Sequence, residues 1–238
     1  MRQDEGMPGR TNTENRMMHS RRLAARSGLA LASAALLCGC SLFDRGFEPT
    51  AMYLLDPPQQ SSIEGAPIGS VLVTRFSAVA PFDGRAFVYH NTDGTWRTDA
   101  YAGFMAKPSE MISQSLARAL ERSGRASMVG VESVAMPFDF SLEGVIESFY
   151  ADFSDAGSPK AVVQLRGYLL DRRAGAPKLV AQFTGAGRAP IASAETSAVA
   201  DALSAAAGAA IHDLLSRFPK DVSAAGAASA AADPSSGG

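Results

Sequence analysis

Apolar and polar positions alternate most clearly in the second half of the chain. Ala161, Val163, Leu165 and Leu169 recur at strand spacing, and so do Leu179, Ala181 and Phe183 beyond the turn Arg172-Arg-Ala-Gly-Ala-Pro177. This period of two belongs to strands with one buried face. Just upstream, Phe138, Phe140, Leu142 and Ile146 are apolar at even positions, whereas Phe149, Ala151 and Phe153 are apolar at odd ones. A phase change inside one run predicts a bulge or sharp bend, placed here at Gly144. Three long strands joined by short turns predict an antiparallel meander.

Shorter extended runs precede it. Ala51-Met-Tyr-Leu-Leu55 stops at Asp56-Pro57-Pro58, and Ser70-Val-Leu-Val-Thr-Arg-Phe76 opens at Gly69 and ends near Pro81. Ala86-Phe-Val-Tyr89 follows a turn at Phe82-Asp83-Gly84, and Trp96 begins another strand after the turn Asn91-Thr-Asp-Gly94. These read as strands and hairpins. The period then changes. From Pro108, Met111, Ile112, Leu116, Ala119 and Leu120 fall at helical spacing until Gly124, and a short strand follows at Ser127-Met-Val129. A second, alanine-rich helix runs from about Glu195 to Ser216, with Val199, Leu203, Ala207, Ala210, Ile211, Leu214 and Phe218 on one face. The predicted class is α+β: a two-layer sandwich, a mostly antiparallel sheet with two amphipathic helices on one face and the other face open to partners.

The N-terminus has a different character. Leu29 to Cys40 holds no charge and follows Arg21, Arg22 and Arg26, which is the layout of a secretory signal. About twelve residues rise only ~18 Å as a helix, short of the roughly 20 residues that cross a bilayer. The preceding residues carry Asp4, Glu5 and Glu14, so Met17 or Met18 is the expected start of the signal. Ser20-Arg21-Arg22 touches the twin-arginine pattern, which is too short to set it apart from ordinary export. Leu37-Cys38-Gly39-Cys40 has the form of a lipobox, with Cys40 as the lipidated residue. The competing reading, a disulfide between Cys38 and Cys40, requires a strained ring between residues two apart. Residues 1–39 are therefore read as signal, 40–50 as lipidated cysteine and tether, 51–220 as one domain, and 221–238 as a disordered tail of Ala, Gly, Ser and Pro. Ser41 after the cysteine favours the outer membrane over inner-membrane retention.

From Cys40 onward about 16 Lys and Arg stand against about 21 Asp and Glu, a net charge near −5. No basic stripe interleaved with aromatics is present, so nucleic acid is not an expected partner. An enzyme needs a nucleophile with its base, a carboxylate pair or a metal cluster. The mature chain has two histidines, His90 in a predicted turn and His212 on the last helix, both read as surface residues, and it lacks Gly-x-Ser-x-Gly, HExxH and phosphate-loop patterns. No enzyme activity, metal or other cofactor is expected. Asp83 and Arg85 either meet a partner or serve the turn they sit in. Glu143, Glu147 and Asp152 form an acidic strip or simply the wet face of a strand. Tyr89, Trp96, Tyr101 and Phe104, with Phe82 nearby, are interface candidates or core.

Taken in order, Tyr53-Leu-Leu-Asp-Pro57, Val71-Leu-Val73, Pro81-Phe-Asp-Gly-Arg85 leading to Val88-Tyr89, and Trp96 to Ala100 form a recognisable series. It continues with Leu142-Glu-Gly144, Glu147, Phe149, Tyr150, Asp152, Phe153 and Leu169-Leu-Asp-Arg172. In these residues the domain resembles the ABC-type transport auxiliary lipoprotein family. At Gly103-Phe-Met-Ala-Lys-Pro108 it departs from the family's tryptophan before the proline. The resemblance implies a non-enzymatic periplasmic subunit, partnered by an MCE-domain protein with its ABC permease and ATPase and serving lipid transport between membranes. It implies an outer-membrane site and is compatible with a homo-oligomer that docks on a symmetric assembly. The alternative is an outer-membrane lipoprotein that scaffolds or activates peptidoglycan synthesis, against which stands a tether of about ten residues, at most ~36 Å extended.

Overall fold

The computed structural model describes residues 51–58, 65–132, 136–220 and 222. The signal, the lipobox with Cys40, the tether and all of the tail except Val222 lie outside the described residues. The elements are β1 (Ala51–Tyr53), β2 (Ser70–Val73), β3 (Ser77–Ala78), β4 (Ala86–His90), β5 (Trp96–Phe104), α1 (Pro108–Ser123), β6 (Met128–Val131), β7 (Phe140–Asp152), β8 (Lys160–Asp171), β9 (Lys178–Pro190) and α2 (Thr196–Ser216).

The predicted meander is the frame: β7, β8 and β9 pair antiparallel along nearly their whole length. The other edge of β7 is shared by three short parallel strands, with β2 at Phe140–Leu142, β3 at Val145–Ile146 and β4 at Ala151–Asp152. Two arms leave from there. β6 pairs parallel with β2 at one end, while β5 pairs antiparallel with β4 at the other and carries β1 as a parallel edge strand. The long ladders are antiparallel, and the short parallel pairings are what close the sheet around β7.

The phase change in β7 is real, and its place differs from the expected one. The register slips between Ile146 and Ser148, so the extra residue is Glu147, not Gly144. Gly144 is needed for another reason. The Phe76 ring lies 2.3 Å from where a Cβ would sit, so only glycine leaves room for it. A second bulge falls at Val180, because Leu169 pairs with Ala181 but Leu170 with Leu179. It turns Leu179 to the face away from the helices, where it is exposed instead of continuing the inward row.

Both helices cover one face of the sheet and meet each other. α1 begins with Pro108 at its first position, carries Glu110 in its first turn and ends at Gly124, whose φ of 67° is the left-handed cap glycine tolerates best. Its buried Ser113 accepts the Phe76 N–H at 2.8 Å and donates to the Ser109 carbonyl at 2.7 Å, so no polar group is stranded. α2 lies on β8 and β9. All seven residues predicted for its inner face, Val199, Leu203, Ala207, Ala210, Ile211, Leu214 and Phe218, are buried. The helix is apolar and long enough to cross a membrane by composition, yet 67% of its apolar stretch is buried in the fold, as in a core helix. The end of β1 and the chain after it drape over this helix: the Tyr53 hydroxyl and Thr196 Oγ1 are 2.7 Å apart, and the Asp56 N–H donates to Ser204 Oγ. Arg125, buried just beyond α1, donates to the Pro219 carbonyl and lies over the Phe218 ring, joining the ends of the two helices.

A reciprocal bond pins the parallel start of β2 and β7. Ser70 donates its N–H and its hydroxyl to Asp139 Oδ2, both at 2.8 Å, and the Asp139 N–H donates back to Ser70 Oγ. The bonds from the Ser70 backbone and then its side chain hold the Asp139 carboxyl below the usual carboxylate range. A carboxylate depressed by folding stabilises above its unfolded value of about 4, and that contribution fades as pH falls toward the folded value. Asp139→Asn is therefore expected to lower the urea midpoint at pH 7, with the gap to wild type narrowing below pH about 4.

Candidate functional site

The described residues bring one distinctive cluster together, on the sheet face opposite the helices. Antiparallel β4 and β5 place His90 opposite Trp96, and parallel β4 and β7 place His90 opposite Asp152. The bulge at Glu147 decides the rest. Before it, the even residues of β7 face the helices; after it, Phe149 and Ala151 do, so Tyr150 and Asp152 emerge on the open face. The loop between β3 and β4, whose Ala80–Pro81 peptide is cis, folds Phe82 over the same spot.

The four rings form one cluster. Phe82 lies nearly parallel to Tyr150, with centroids 5.9 Å apart, and meets Trp96 edge-on at 6.2 Å. Trp96 stacks on His90 at 4.6 Å and meets Tyr150 edge-on at 4.9 Å. Phe82 is buried under its neighbours, whereas Trp96 remains 48% exposed and presents the apolar surface. Tyr150 pairs across the sheet with Val162, and Val162 with the exposed Arg188. Burial and then the Asp152 carboxylate push the Tyr150 phenol above its ordinary range, with Arg188 opposing.

Asp152 is the polar hub. It is 3.2 Å from His90 Nδ1, accepts the Ser154 hydroxyl at 2.6 Å and the Ser154 N–H at 3.1 Å, and has Lys160 at 3.7 Å. Burial raises its pKa, but the two bonds from Ser154, with His90 and Lys160, outweigh it and leave the group below the usual range. The serine thus sits on the carboxylate and not on the imidazole, whereas a hydrolytic triad needs the hydroxyl on the imidazole. Among the described residues no group of three His, Cys, Asp or Glu side chains could hold a metal ion.

The candidates from the sequence divide. Phe82 and Trp96 belong to the cluster; Asp83, Arg85 and Tyr101 are exposed. Phe104 takes the core alternative, wholly buried between Phe87 and Phe149. Tyr89 faces the helix side, where its hydroxyl donates to Asp99 Oδ2 at 2.8 Å and its ring meets Phe153. Burial, then the bond to Asp99, push its phenol well above the ordinary value. His90 is the residue that sequence reasoning misses: it closes β4 rather than lying in a turn, and it is half-buried against Trp96. Its signal is the alternation Val88, His90, continuing one step past the run that ends at Tyr89. Of the acidic strip, Glu143 is exposed, Glu147 pairs with Arg166 at 2.6 Å, and only Asp152 enters the cluster.

No family model matches the chain, and no curated protein does. Solved structures do. A Xanthomonas campestris protein described under the family model DUF330 superposes with a TM-score of 0.60 at 22% identity, covering 75% of this chain and 99% of that one. An uncharacterized protein superposes with a TM-score of 0.54 at 12% identity, over 71% and 98% of the two chains. These likenesses show a shared fold. The PelC dodecamer from Paraburkholderia phytofirmans is more distant, with a TM-score of 0.42 at 19% identity over 67% and 94% of the chains.

Proposed function

We propose that this chain is a lipid-anchored, non-enzymatic auxiliary subunit of an ABC transport system with an MCE-domain partner. In this reading it is held at the outer membrane through Cys40, faces the periplasm and works by docking. The observation that carries the reading is where the resemblance-bearing residues meet. Phe82, Trp96, Tyr150 and Asp152, far apart in sequence, converge in one aromatic cluster that Trp96 opens to solvent, and Tyr89 and Phe153 pack behind it. An aromatic anchor on rigid strands, rimmed by polar groups, suits a protein interface. Among the described residues the Ser154 hydroxyl sits on Asp152 and not on His90, an order that supports a binding role over a hydrolytic one.

The test is mild crosslinking in the native envelope, purification of the anchored chain and mass spectrometry of what accompanies it. Recovery of an MCE-domain protein with its permease and ATPase is expected, and its loss with a folded Trp96→Ala variant. Recovery of cell-wall synthases alone overturns the proposal in favour of a scaffold for peptidoglycan synthesis.

A further inference from the structure

We infer that a second exposed surface, the edge made by β1 and the C-terminal end of β5, rests on the lipid membrane that holds the anchor, so that the domain lies on the bilayer in one orientation. The inference depends on the lipidation of Cys40 proposed above.

Four large apolar side chains crowd this edge. Leu54 is 71% exposed, Tyr101 58%, Met105 55% and Met52 36%. The register puts them on one side. Tyr53 and Phe104 are partners and point into the core, so Met52 and Leu54, flanking Tyr53, and Met105, following Phe104, point the other way. Tyr101 stands just before the inward-facing Ala102, in a kink where Asp99 Oδ1 accepts both the Tyr101 and Ala102 N–H groups.

The tether selects the occupant. Ten residues separate Cys40 from Ala51, so the first residue of β1 stays within about 36 Å of the bilayer, and usually closer because chains are seldom fully extended. The apolar edge begins at the very next residue, Met52. β1 is three residues long, so the free edge it offers for extending the sheet with a second copy is short. Exposed charges beside the edge are mixed, Arg85 and Lys107 against Asp56, Asp83 and Glu195. Apolar burial, not attraction to anionic headgroups, therefore drives the contact.

The test uses the full lipidated chain in vesicles of phosphatidylethanolamine and phosphatidylglycerol containing brominated phospholipid. Trp96 is the one tryptophan, so Trp96→Phe makes room for single reporters: Leu54→Trp on the edge and Leu179→Trp at the exposed start of β9, across the sheet. Strong quenching of the Leu54→Trp reporter, weak quenching of the Leu179→Trp reporter and persistence of both in high salt are the expected results. In the unlipidated Cys40→Ser chain, Leu54→Ser with Met105→Ser is expected to lower vesicle partitioning about tenfold or more. Equal quenching at both positions, or no quenching of an anchored chain, overturns the inference while leaving the anchor intact. A chain whose intact mass shows no acyl group at Cys40 removes the anchor, and the inference with it.

Discussion

Gly187→Ala is expected to cost the domain about 3 kcal/mol, a large share of the stability of a domain this size. The backbone there is ordinary extended strand, so conformational freedom is not the reason. Space is: a Cβ on Gly187 falls 1.9 Å from the Ala206 carbonyl oxygen and 2.6 Å from the Ala210 nitrogen, and one on Gly185 falls 2.3 Å from the Ala210 carbonyl oxygen. These atoms are helix backbone and have no rotamer to yield. One methyl group must lift α2 off β9 and open the layer formed by Ala206, Ala207 and Ala210. Urea denaturation checks this, with Ala186→Val on the exposed side of the same strand as the control, expected within about 0.5 kcal/mol of wild type. Equal midpoints for the two variants would show that the helix gives way freely.

Cys40→Ser is expected to move the protein almost completely from the membrane to the soluble periplasmic fraction. Two or more acyl chains, at ~0.8 kcal/mol per buried methylene, hold a protein durably, whereas a few exposed apolar side chains give only reversible contact. The described domain begins eleven residues later, so its unfolding curve should not change. Membrane flotation with labelled-palmitate incorporation reads both effects. Wild-type protein found fully soluble, or palmitate incorporated without Cys40, would end the lipoprotein reading.

The elements that sequence alone reveals are those whose partners are local. The β7–β8–β9 meander pairs neighbours across short turns, and α1 and α2 carry their own period, so alternation, Pro108 and Gly124 mark them. The parallel pairings of β2, β3 and β4 with β7 join segments about 60 to 70 residues apart, and two to four apolar residues cannot announce such a partner. Gly144 attracts the predicted bulge because glycine serves bulges and close approaches equally well, and only the Phe76 ring tells which applies. The candidate site follows the same divide. Phe82 and Trp96 are legible as aromatics beside turns, but Tyr150 and Asp152 reach the open face only through the slip at Glu147, and His90 matters only because Asp152 lies beside it.

The alanine that lets α2 settle on β9 bears on a stage before folding. For a chain exported as proposed, α2 enters the secretion channel as an unfolded, largely apolar run, the one described segment long and apolar enough for a channel to release sideways into the lipid. Lodging there is driven by leucine, isoleucine, valine and phenylalanine, at a few tenths of a kcal/mol each, and opposed by aspartate at about 2.5 kcal/mol or more near the middle of a span. The run has few large apolar residues for its length, and Asp201 and Asp213, nearer its ends than its middle, add a smaller cost of the same sign. Small side chains thus give the helix a dense seat in the finished fold and a weak grip on the bilayer during passage.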